Sequence, residues 1–365
     1  MRRCLFPLLV MGLFLGLARP SWALNIVVDY SADAATENFF SLRPMAKAAV
    51  DAAAANLSAL LAPTHLSIIS PTGTPNVDAI SGTSGSTTIT ADWDYLYNNP
   101  STGVQTTITS PSIPVDSITI FVGLNALAGN AIGQGAPGNA SVSVGGSGFS
   151  SQLIAATNAM QSASNAYMDR GAGPILATLS GSLTLGAVTA PFSLTYGPSL
   201  GTIVFDNDTD NNAVPDTLAT LDNFWQYDYT TAVAAGKNDL YSVALHEMIH
   251  TLGFGTSETW NSLVSGTTWL GSHAQALNGG SGANLVDLDG EHARSGLIST
   301  DIYTGAAQEA VMDPSLTTGT RKDITAMDVA FLQDLGFAVA PVPEPGSFAL
   351  CVGAAAIFLL ARRRR

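Results

Sequence analysis

The stretch LYSVALHEMIHTLGF, residues 240–254, constrains this chain more than any other. Read as a helix, it places residues four apart on one face, one turn apart. His246 and His250 can therefore present imidazole nitrogens to a single ion. Zinc accepts such nitrogens, and a His-Glu-x-x-His helix is a zinc-binding pattern with a stated mechanism. Glu247 is rotated by about 100° from His246. It cannot join the two histidines on their line, but it can reach a water polarised by the ion, take its proton and later hand that proton on. With five histidines and six glutamates in the chain, the pattern arises by chance in roughly one such sequence in a thousand. Coincidence also leaves the setting unexplained: Leu240, Val243 and Ala244 supply a packing face, and Gly253 stands where the helix must turn out.

A catalytic zinc takes three protein ligands and keeps one position open. Thr256 occupies the place of a closely spaced third histidine. His65 falls in an expected early strand and reads as structural or surface. His273, in TWLGSHAQALNGG, and His292, in VDLDGEHARSGL, both follow the helix. Glu258 and Glu291 compete as carboxylate ligands, although Glu258 comes rather soon after the helix for that role. On residue types alone, His273 and His292 both stay open.

The two ends carry export signals. Arg2 and Arg3 precede an apolar run, Cys4 to Ala18, and Ser21-Trp22-Ala23 offers small residues at a cleavage site. Residues 1–23 thus read as a signal peptide cut after Ala23; the run is short for a bilayer span. Residues 341–365 contain Pro343-Glu344-Pro345, an uncharged run from Gly346 to Ala361, and four terminal arginines, which should stay cytoplasmic. This order resembles the PEP-CTERM sorting tail of Gram-negative exopolysaccharide-producing bacteria. The resemblance implies an exosortase-type sorting machinery as a partner, transient or C-terminal membrane association, and delivery to the cell surface, outer envelope or extracellular matrix.

Residues 24–340 then form the body of the protein. They hold no cysteine, because Cys4 and Cys351 lie in the two ends. Neither a disulfide nor a thiolate ligand is available there. They carry seven basic against 27 acidic residues, a net charge of −20, which excludes the basic footprint a nucleic-acid binder needs. Along the body, LNIVVDYS, THLSIIS, STTITADWDYLY, DSITIFVGL and Gly201–Phe205 read as strands. SLRPMAKAAVDAAAANLSALLAP, SQLIAATNAMQSASNAYMDR and TAMDVAFLQDLGF read as helices, the first with Met45, Ala49, Ala52, Ala53, Leu57 and Leu60 on one side. Thr325 with Asp328 is a capping-box pattern. The glycine-rich stretch from Asn125 to Gly148 reads as loop. The expected fold class is α+β with an α/β-like upper half.

HEMIHTLGF, a distant His292 and then EAVMDPSL together resemble the metzincin clan, and within it the leishmanolysin-like branch. The likeness spans roughly residues 196–337. It implies a zincin catalytic domain with a mixed twisted sheet, an active-site helix and a methionine turn. It also implies peptide-bond hydrolysis on protein or peptide substrates, with zinc as cofactor. On that resemblance the ligands are His246, His250 and His292, the general base is Glu247, and Met312 forms the turn beneath the metal; His273 is the alternative ligand. Metzincins lay substrate along a sheet edge, a place that Gly201–Phe205 could take. Two departures stand out: Ala293 follows the third histidine where the branch often has tryptophan, and no tyrosine follows Met312. Transition-state support by such a tyrosine is thus unassigned.

Asp206, Asp208 and Asp210 alternate in FDNDTDNNAVPD. Oxygen ligands at such spacing suit calcium, but the glycine and final glutamate of an EF-hand loop are missing, and a solvated acidic turn is the favoured reading. Asp287, Asp289 and Glu291 could steer the His292 ring or form a polar turn; the turn is favoured. Two other function classes compete with the peptidase: a non-catalytic surface or matrix protein on a metalloprotease-like fold, which has no need of Glu247, and a calcium-dependent adhesin, which rests on the aspartates alone.

Overall fold

The computed structural model describes residues 24–36, 38–61, 80–109, 114, 116–169 and 173–340. The expected signal peptide (1–23), the expected sorting tail (341–365), the expected strand THLSIIS and His65 lie outside the described residues. The described chain is a mixed α and β protein with several sheets.

Its central sheet has four strands. Asn25–Asp29, Ser117–Asn125 and Leu200–Asp206 run parallel, and Gly133–Pro137 closes one side antiparallel to Leu200–Asp206. Ser117–Asn125 is buried along most of its length, on successive residues from Ile120 to Leu124, as expected for a parallel strand covered on both faces. The helix Pro44–Leu60 starts on a proline in its first turn and buries Ala46, Ala49, Val50, Ala53, Ala54, Leu57 and Leu60. Met45, expected on that face, is 52% exposed. Its small alanines let it pack closely on the helix Leu240–Thr251, which in turn crosses Gly133–Pro137 and Leu200–Asp206.

Two expectations are corrected here. The glycine-rich segment read as loop contains two strands, Gly133–Pro137 and Asn139–Ser147. Gly201–Phe205 is not a sheet edge: Leu200–Asp206 lies inside the sheet, and Gly133–Pro137 is the outer strand. The glycines are there because the Leu240–Thr251 helix lies directly on that strand. A Cβ on Gly135 would stand 2.1 Å from the carbonyl oxygen of Glu247, and one on Gly133 would stand 2.7 Å from its Oε1.

A second layer has its own core. Ile80–Ser84, Thr87–Asn98, Gln105–Thr109 and Asn139–Ser147 form an antiparallel sheet. The helix Leu153–Met168 packs between it and the hairpin Ala177–Leu185/Val188–Tyr196, around Ile89, Trp93, Tyr95, Met160 and Leu194.

Beyond the Leu240–Thr251 helix the chain makes two short helices, Glu258–Leu263 and Ser272–Leu277, several turns, and the helix Ala326–Asp334. Phe254, Trp260, Trp269 and Phe331 stack edge and tilt against one another, so this polar-looking segment folds over a buried aromatic cluster. Thr325 and Asp328 form both halves of a capping box.

Candidate metal centre

The Leu240–Thr251 helix begins at Asp239, whose carboxylate accepts from the Ser242 N–H. The same carboxylate is gripped by Arg321 through two nitrogens, at 2.9 and 2.6 Å, and takes the Ser242 hydroxyl at 2.7 Å. The helix start is therefore tied to the C-terminal segment. Its other end turns out through Gly253, at φ 103°, a left-handed conformation that glycine adopts without strain.

His246, His250 and His292 come together at the open side of this helix. The Nε2 atom of His250 is 3.1 Å from that of His246 and 3.2 Å from that of His292. Each ring is fixed from behind. His246 Nδ1 lies 2.7 Å from the Val311 carbonyl, His250 Nδ1 lies 2.8 Å from the Phe254 carbonyl, and His292 Nδ1 lies 2.7 Å from Asp289 Oδ2. Those oxygens can only accept, so each Nδ1 carries the proton and each Nε2 offers a lone pair. Three lone pairs facing one another at this separation repel unless a cation sits among them. Two nitrogens about 2.0–2.1 Å from a tetrahedral zinc stand roughly 3.3 Å apart, close to the spacing observed. The donor set fits zinc.

Electrostatics agree. Burial, reinforced by the neighbouring rings of His250 and His292, holds His246 well below the ordinary histidine range. Burial and His292 bring His250 down to about 4. Both are neutral at neutral pH, the form that binds metal. Glu247 is buried beside them, and burial pushes its carboxyl up to about 8 against the opposing Gly135 N–H, which donates to it.

Met312 is fully buried in the turn after Ala307–Glu309. The Val311 carbonyl before it receives His246, and its own carbonyl accepts the Ala293 N–H at 3.0 Å. The turn thus bridges the helix ligands and the residue after His292. Asp328 holds the turn in place: its carboxylate accepts the N–H groups of Val311 at 3.0 Å and Met312 at 3.2 Å, besides both donors of Thr325.

The other candidates lie elsewhere. His273 is on the helix Ser272–Leu277, with Nδ1 2.8 Å from Asp334 Oδ1 and its side chain 54% exposed; it is not one of the three converging histidines. Glu258 receives the N–H and hydroxyl of Thr178 on the hairpin, and Thr256 donates to the His250 carbonyl. Asp206, Asp208 and Asp210 do not converge as a ligand set among the described residues. Asp206 accepts from the N–H groups of Leu127 and Asp208, Asp208 from Asn212 and Ala213, and Asp210 from Asn212. The turn is not solvated throughout either, since Asp206 and Asp208 are buried.

Asp289, left in a polar turn by the sequence reading, is the carboxylate that orients His292. Its place three residues ahead of the histidine was visible, but nothing in the sequence separates it from Asp287 and Glu291. Asp328 was legible as a helix cap and not as the clamp on the Met312 turn.

A cavity of ≈ 420 Å³ opens beside the triad, between Ile132 and Gly133, Val243 of the helix, and Pro314–Leu316. Comparison of the chain with protein-family models, with curated proteins and with solved structures gives no match.

Proposed function

We propose that this chain is an exported zinc-dependent endopeptidase of metzincin type, nearest in plan to the leishmanolysin-like branch. One observation carries the reading: three Nδ1-protonated imidazoles aim their Nε2 lone pairs at one point next to a buried carboxylate in an open cleft. His246, His250 and His292 hold the ion. A zinc bound there supplies a Lewis acid and lowers the pKa of the attacking water. Glu247, whose burial raises its proton affinity, takes a proton from that water and delivers it to the leaving amine. Asp289 and the carbonyls of Val311 and Phe254 keep the three rings in register. The cross-strand bonds Gly138 N–H to Leu200 and Asp206 N–H to Ile132 turn the backbone groups of Gly133, Gly135 and Pro137 away from the sheet; the Gly135 N–H is taken by Glu247 and Pro137 has none, so the Gly133 N–H and the three carbonyls are what the edge offers. That leaves an outer strand along which an extended peptide can pair. The sorting signals at the two ends fit a peptidase working outside the cell.

The test is casein hydrolysis by the zinc-loaded full chain. Hydrolysis abolished by a chelator, and by Glu247→Gln with zinc retained, is the expected result. A Glu247→Gln protein that cleaves as fast as the parent refutes the role of the base, and a zinc-loaded protein that cleaves nothing favours the non-catalytic alternative.

A further inference from the structure

Resting on the peptidase reading, we infer that the cavity beside the triad selects an uncharged, amide-bearing side chain, glutamine or asparagine, at the residue on the amine side of the scissile bond, and that Asn238 reads it. The amine half of the split bond belongs on the side of Glu247, which delivers its proton. Val243 lies four residues earlier, on the same helix face, and lines the cavity that continues from Glu247. The side chain of the amine-bearing residue therefore enters it.

At ≈ 420 Å³ the cavity is larger than any side chain, so its chemistry rather than its volume decides the occupant. Ile132, Val243 and Leu316 give apolar walls that suit a hydrocarbon stem. The charged groups at its base are already engaged with one another. Lys322 Nζ donates to the Ser315 carbonyl at 2.6 Å and pairs with Glu309 at 3.0 Å and Asp313 at 3.4 Å. Asp313 also accepts from Ser315 and Gly296. The Ser242 hydroxyl donates to Asp239 and accepts the Lys322 N–H. Of the two carboxylates on Lys322 only Asp313 lines the cavity, Glu309 being partly exposed outside it, so the lining pair is balanced and a charged occupant loses its water without return.

Asn238 differs. It is 6% exposed and lines the cavity. Its backbone pairs with Trp225 in a short parallel bridge, but its side-chain amide has no hydrogen-bond partner among the described residues and is not among the fully sealed polar atoms. An amide offers a donor and an acceptor together. Another carboxamide satisfies both at once, whereas an aliphatic side chain offers neither and leaves the amide to the water the cavity retains. A direct amide–amide pair in place of amide–water contacts favours the ligand that can make it by about the net worth of one or two hydrogen bonds.

The experiment measures binding of two peptide hydroxamates to the zinc-loaded full chain by calorimetry. They are identical except that the side chain after the chelating group is that of glutamine in one and leucine in the other. The parent should bind the glutamine compound on the order of tenfold more tightly. Asn238→Leu should reverse the order, and Asn238→Asp, nearly the same shape, should move the preference toward a lysine analogue. Equal affinities in the parent, or a preference for leucine, overturn the inference; so does a glutamine preference that survives both substitutions. Binding is read independently of turnover, so a protein that binds the hydroxamates and cleaves no casein separates failure of the peptidase reading from failure of this one. A protein that takes up no zinc overturns both.

Discussion

Replacing Asp328 by alanine should cost the protein stability and loosen the proposed metal site together. The carboxylate is wholly buried and accepts four hydrogen bonds, from the N–H groups of Val311, Met312 and Thr325 and the Thr325 hydroxyl. Its loss strands the N–H groups of Val311 and Met312 away from water, at about 1–3 kcal/mol each, and removes half of a capping box, for about 1 kcal/mol more. The sum is ~3–7 kcal/mol, a large part of the stability of an ordinary domain. The Val311 carbonyl orients His246, and the Met312 carbonyl holds the residue after His292. Zinc affinity should therefore fall by about 10–100-fold as well, as for other groups that orient ligands. Asp328→Asn keeps one acceptor oxygen and should lose roughly half the stability that alanine loses. Urea unfolding of the metal-free chain gives the first quantity and competition with a chromophoric chelator the second. An alanine variant within 1 kcal/mol of the parent that also keeps parental zinc affinity would show that the turn is not held by this carboxylate.

Three further outcomes are expected. Burial raises the Glu247 carboxyl to about 8, so at pH 7 the folded metal-free chain keeps it protonated while the unfolded chain ionises it; this costs about 3 kcal/mol, a penalty that grows from about pH 4.5 to pH 8. Glu247→Gln should accordingly raise the metal-free melting temperature at pH 7, and an unchanged or lower value contradicts the assignment. His250 is held down to about 4, so the unfolded state gains protons that the folded ring refuses: this residue should lower metal-free stability by about 3 kcal/mol as pH drops from about 6.5 to about 4, and because Glu247 titrates in the opposite sense over that window, the check is made in Glu247→Gln, where a urea midpoint flat across it refutes the assignment. Gly135→Ala forces a methyl to within 2.1 Å of the Glu247 carbonyl oxygen and should destabilise the fold by about 1–3 kcal/mol while lowering casein turnover, which leaves a silent substitution as the contrary result.

The helix was legible in the sequence because its message is periodic: residues 246 and 250 share a face wherever that segment is helical. Ser117–Asn125 was legible as a strand from its β-branched and apolar residues, though not as one covered on both sides, and the cap at Thr325 from its spacing to Asp328. What could not be read depended on contacts between distant segments. Glycine has low strand propensity, so Gly133–Pro137 reads as loop; only the helix lying across it explains why side chains are missing there. The hairpin Ala177–Leu185/Val188–Tyr196 was legible too, since Leu179, Leu183 and Leu185 and then Val188, Ala190, Phe192, Leu194 and Tyr196 alternate with Ser, Thr and Pro at period two, although it was not among the expected strands. His273 and His292 are alike in sequence. What separates them is that Asp334 takes one ring while Asp289 turns the other toward the helix.

Zinc content of the purified full chain, with His292→Ala and His273→Ala beside the parent, tests the three-histidine site most directly. One zinc per chain in the parent and in His273→Ala, and little or none in His292→Ala, is the predicted pattern. Zinc retained in His292→Ala, or lost only in His273→Ala, would contradict it.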